Sequence, residues 1–199
     1  MLPKITFICS SLYDQVFNNK ENQEMLKLVN KKYPSVKKIR SYIGKIESLW
    51  RKDEKKILNA ISKFTGLKWK EKEMKCYVIG FGRPMSEPLT IKLYKNKNDF
   101  IDSLTHELIH KIQSQNRIKY KTWHEYILIK YKKESQTTKN HIFIHAILKE
   151  IYLNVLGKSR LKRDIKRCKS PDYARAWQIV ETEGYKNIIN KFRELTKER

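Results

Sequence analysis

Five consecutive residues carry the chemistry of this chain: His106-Glu107-Leu108-Ile109-His110, an H-E-x-x-H pattern. On an α-helix, positions i and i+4 share a face one turn apart, so two imidazoles at this spacing can grip one zinc ion. The Glu at i+1 stands beside them, placed to polarise a zinc-bound water and act as a general base. The pattern therefore predicts zinc ligands at His106 and His110, a base at Glu107, and hydrolysis of a peptide bond as the reaction.

The pattern has this meaning only on a helix, and its surroundings predict one over 98–113. Phe100, Ile101, Leu104, Leu108, Ile109 and Ile112 recur at spacings of three and four. Asn98 is the expected N-cap, and Asp99 and Asp102 put acids where the helix dipole favours them. Asp102, one turn before His106, is equally readable as a second acceptor that orients that imidazole.

A catalytic zinc needs a third protein ligand and one open position. His141 and His145, again at i and i+4, lie in a segment over 140–156 that reads as a strong helix stopped by Gly157. One of the pair is expected to complete the site, with His145, deeper in its helix, slightly favoured. The other would stand near the oxyanion. Ala146 beside them is small enough for another helix to approach closely. Glu150, off that face, and Glu134, in a connection, are weaker candidates. His124, 14 residues after His110, matches the short histidine gap of SprT-like proteases, although Trp123-His-Glu-Tyr126 is not that family's pattern.

The elements that position these residues are read from periodicity. Lys4 to Cys9 is a short strand. Ile39, Tyr42, Ile43, Ile46 and Leu49 share one helical face; Ile57, Leu58, Ile61 and Phe64 share that of a second helix, ended by Gly66. Segments 74–81 and 89–94 read as a β-hairpin or two adjacent antiparallel strands leading into the motif helix. An edge of that sheet is where an extended substrate would add. A connection follows Gln115, and a helix follows over 123–131. The C-terminus reads as two helices, one opened by Ser170-Pro171-Asp172, the other running from Tyr185 to Glu198 after Gly184.

The expected fold is α+β and mostly α-helical, with a small antiparallel sheet packed on the motif helix in a zincin-like manner. It is expected as a single domain over 1–199, made of a helical part (1–66), the sheet with the catalytic helices (67–156) and C-terminal helices (157–199). From the strands to the second histidine helix, roughly 57–156, the chain resembles the gluzincin-like metallopeptidases, especially the minigluzincin type. The features shared are a helical N-terminal part, a hairpin leading into Leu104-Thr-His-Glu-Leu-Ile-His110, and a downstream ligand helix. The resemblance implies zinc, the roles given above for His106, Glu107 and His110, and a Glu as third ligand on the later helix. This chain offers histidines there instead.

Composition bounds the rest. The net charge is +23, with 34 lysines against 10 arginines. The densest cluster, 157–169, carries seven basic residues and one acid spread around all sides of a helix with no aromatic residue among them, which reads as a solvated surface. Weak nucleic-acid association is the partner this charge allows beside a peptide or protein substrate. No apolar run reaches the ~18 residues of a membrane span. Cys9, Cys76 and Cys168 form no CxxC pair, and the absence of a secretory leader adds to the expectation of a reducing cytoplasm. The alternatives to a peptidase are a protease recruited to nucleic acid and a non-catalytic zinc- or nucleic-acid-binding protein. Glu107 discriminates, because a purely structural metal site has no use for that carboxylate.

Overall fold

A computed structural model describes residues 1–197, so the Glu198 end of the expected last helix lies outside the described residues. The chain is mostly helical with one four-stranded sheet. The described residues form two compact units: 1–55 with 71–111, and 56–70 with the residues from 112 onward.

The first unit contains the sheet. Strand β1 (Lys4–Ile8) pairs parallel with β2 (Glu73–Ile79), and β2 pairs parallel with β4 (Leu89–Lys92). Strand β3 (Met85–Ser86) pairs antiparallel with β4 at the edge, giving the order β1-β2-β4-β3. The expected antiparallel pair over 74–81 and 89–94 is thus corrected. The two strands are neighbours but run the same way, and the sheet is mixed. The chain leaves β2, descends as β3 and turns back up as β4, so the short β3 is the antiparallel arm.

Ile5, Phe7, Met74, Cys76, Val78, Leu89 and Ile91 are buried in this sheet. Helix α4 (Lys97–Gln115) meets it, with Phe100 edge-on to Phe7 at 5.7 Å and to Tyr42 at 5.8 Å. The N-cap of α4 is Asn96, not Asn98: its side-chain oxygen accepts from the Asn98 N–H at 2.9 Å.

Helix α1 (Ser11–Phe17) packs near the sheet, where the Tyr13 hydroxyl meets Thr90 Oγ1 at 2.8 Å. Helix α2 (Lys20–Lys27) follows. Asp14 is buried, and its carboxylate accepts from the Gly80 N–H at 2.8 Å and the Tyr33 hydroxyl at 2.7 Å. It fastens the end of β2, from which the chain turns towards β3. Asp14→Ala is expected to cost about 2–3 kcal/mol, because the Gly80 donor would stay buried without an acceptor. Tyr33→Phe should cost about 1 kcal/mol. Urea unfolding midpoints compare the two, and an unchanged midpoint in Asp14→Ala would contradict this role.

Helix α3 (Val36–Thr65) is one element of 30 residues where the sequence read as two helices. Its first part belongs to the first unit and its last ten residues to the second. Gly66 at φ 71° ends it with a bond from its N–H to the Ser62 carbonyl at 2.9 Å, as expected of a C′ glycine.

The second unit is helical. Helix α5 (Arg117–Lys130) begins one residue after α4, so the expected connection is Asn116 alone. Helix α6 (Gln136–Ile151) is capped by the Ser135 hydroxyl, which accepts from the Thr138 N–H at 3.0 Å. It runs into a π turn (Tyr152–Leu156) that stops at Gly157, φ 98°. Every residue of α6 from His141 to Leu148 is buried, as in a helix surrounded by others. After α7 (Lys158–Arg167), helices α8 (Pro171–Glu183) and α9 (Tyr185–Thr196) pack against α6. Phe143 of α6 stacks on Phe192 of α9 at 3.8 Å, and Trp123 of α5 lies edge-on to the same ring at 5.4 Å.

Candidate metal centre

His106 and His110 project from the middle of α4 with ring centroids 5.0 Å apart, both half-buried. The helix is held in place by Leu104, Leu108 and Ile109, all fully buried. His141 comes from the first half of α6. The ligand nitrogens of His106, His110 and His141 all lie within 4.8 Å of one another. That proximity is compatible with a shared metal ion, for which three imidazoles are a suitable donor set.

The tautomer of His141 follows from its partner. Its Nδ1 lies 2.7 Å from the Thr137 carbonyl oxygen. A carbonyl only accepts, so Nδ1 carries the proton and Nε2 carries the lone pair. Metal-ligating histidines commonly have this arrangement, with one nitrogen donating to a backbone carbonyl and the other left to act as the ligand atom.

His145 lies elsewhere on α6. Its ring stacks on Trp177 of α8 at 4.4 Å and 13°, and it is 2 % exposed. It is not in the cluster, and its surroundings are those of a packed core histidine. The other candidates also stand apart. Glu134 pairs with Arg175 at 2.7 Å, Glu150 lies beside the Tyr185 hydroxyl, and His124 lies beside Tyr120.

Glu107 is 8 % exposed, and burial pushes its carboxyl up to about 8, with Arg83 pulling it back. Its charge is felt by the buried Cys76 thiol on β2, so Glu107 faces the sheet. Asp102, 2 % exposed, is buried one turn before His106. One turn beyond Glu107, Lys111 is held by Glu87 at 2.6 Å and Glu71 at 3.3 Å. These three residues line a groove of about 530 Å³ that also takes in Pro88 and Leu89.

The basic cluster is sorted by the fold, not spread evenly. On α7, Leu161 is buried and Arg160, Arg163 and Arg167 are half-buried, whereas Lys158, Lys162 and Lys166 are exposed. Among the described residues, no helix is long and apolar enough to cross a membrane.

Sequence reasoning missed Tyr173 and Trp177 of α8, which contact the histidines of α6. Their i, i+4 spacing, the same as that of the histidines they face, was the available signal. No protein-family model, curated protein or solved structure matches the chain.

Proposed function

We propose that the protein is a zinc-dependent peptidase whose metal ligands are His106, His110 and His141. The observation that carries this reading is the convergence of the three imidazoles, one of them with its tautomer set by Thr137, around a helix that bears Glu107 between the other two. Three neutral imidazoles suit zinc and leave a fourth position open. Zinc bound there supplies a Lewis acid that polarises the scissile carbonyl and acidifies a water.

The chain supplies the rest. Glu107 takes a proton from the attacking water and returns it to the leaving amine. Its burial keeps bulk water from competing for that proton. Strand β3, at the sheet edge, offers backbone groups to which an extended peptide can add, and it lies between Arg83 and Glu87 in the chain. A motif helix against a sheet with an antiparallel edge strand is also what a zincin-like reading requires, and the gluzincin-like resemblance belongs to the same proposal.

The test is hydrolysis of a mixed peptide library followed by mass spectrometry. Cleavage is expected with one equivalent of zinc, is expected to disappear with a chelator, and is expected to return when zinc is restored. Cleavage that persists in chelator would overturn the proposal.

A further inference from the structure

We infer that Tyr173 is a positioning residue for the metal centre: its ring, packed on His141, holds that imidazole in the plane from which Nε2 meets the ion. The inference rests on the metal reading above.

An imidazole on a helix has two freedoms that matter to a metal, namely which nitrogen faces the site and how the ring is turned about χ2, a torsion with broad wells. The Thr137 carbonyl settles the first through the 2.7 Å bond to Nδ1. A hydrogen bond at Nδ1 fixes that atom and acts less directly on the ring plane. The Tyr173 ring supplies the second restraint, with its centroid 4.1 Å from that of His141 and the planes 36° apart. It also meets His145 edge-on, at 5.8 Å and 85°, and His145 in turn stacks on Trp177. Two aromatic residues at i and i+4 on α8 thus face two histidines at i and i+4 on α6.

Tyr173 is itself fixed along α6. Its neighbour Asp172 accepts from the Ser135 hydroxyl at 2.6 Å, and the Asp172 carbonyl accepts from the Thr138 hydroxyl at 3.2 Å. Both partners lie at the start of α6, within two turns of His141. Arg175 repeats the fastening through Glu134 at 2.7 Å. The start of α8 is therefore tied to the same turns of α6 that present the ligand. That connection gives Tyr173 a defined height against His141, which packing alone would not require.

The experiment measures zinc affinity of the full chain by competition with a chromogenic chelator, together with the visible spectrum of the cobalt(II)-loaded protein. Tyr173→Phe keeps the ring and is expected to match wild type within about twofold, with the same spectrum. Tyr173→Leu keeps bulk without the flat face and is expected to bind zinc about 10-fold or more weakly, with an altered cobalt spectrum. Thermal melting of the metal-free variants separates this from a loss of fold. If Tyr173→Leu melts early yet keeps wild-type affinity and spectrum, Tyr173 is only a packing residue and the inference is overturned. If the Phe variant loses as much as the Leu variant, the hydroxyl acts and not the ring, which also overturns it. A wild-type chain that binds no zinc removes the metal reading and this inference together, and does so before any variant is compared.

Discussion

Replacing Glu107 by glutamine is expected to lower peptide hydrolysis by a factor of about 10²–10⁴ while leaving one metal ion per chain. Glutamine has the same shape and can still accept one hydrogen bond, but it cannot take a proton from water. Glu107 lies outside the cluster of histidine nitrogens, so its loss removes no ligand. The fold should tolerate the change. A carboxylate that is 8 % exposed carries a desolvation cost that a neutral amide avoids, so the melting temperature should hold or rise. Initial rates on a cleaved peptide, with elemental analysis of the same samples, decide the matter. Undiminished hydrolysis in Glu107→Gln would assign the base to another residue.

The second large effect separates two histidines one turn apart. His141→Ala is expected to lose stoichiometric zinc, because it removes one of the three proposed ligands and leaves two imidazoles on α4. His145→Ala is expected to keep zinc and lose stability, by about 2–4 kcal/mol. That ring is 2 % exposed and stacked on Trp177, so its removal leaves a cavity. Zinc content and urea midpoints, measured on both variants, should therefore change in opposite combinations. The reverse pattern, with zinc lost in His145→Ala and kept in His141→Ala, would place the third ligand a turn further along α6.

Why the sequence left that choice open is instructive. Residues at i and i+4 share a helix face, so periodicity predicts that both histidines point the same way. It cannot say which of them lies beside the two histidines of α4. The nitrogens of His141 lie with those of His106 and His110, whereas His145 stacks on Trp177, which arrives from α8 about thirty residues later. Where a signal was local it was readable. The motif helix, the Gly66 stop, the Gly157 stop and the break at Gly184 all rest on residues whose types act within one or two turns. The direction of β4 was not readable, because alternation along Leu89, Thr90 and Ile91 reports faces and not the sense of the partner strand. Two residues of β3 are too few to show any period. Helix α3 misled for a physical reason. Its two apolar stripes serve the cores of different units, and the charged run from Arg51 to Lys56 between them imitates a linker.

The measurement that bears most directly on the account is X-ray absorption at the zinc edge of the reconstituted wild-type chain, with its zinc content. One zinc per chain is expected, with three imidazole nitrogens at about 2.0–2.1 Å and one light oxygen ligand at an open position. A chain that retains no zinc after dialysis, or a zinc closed by four protein ligands, would contradict it.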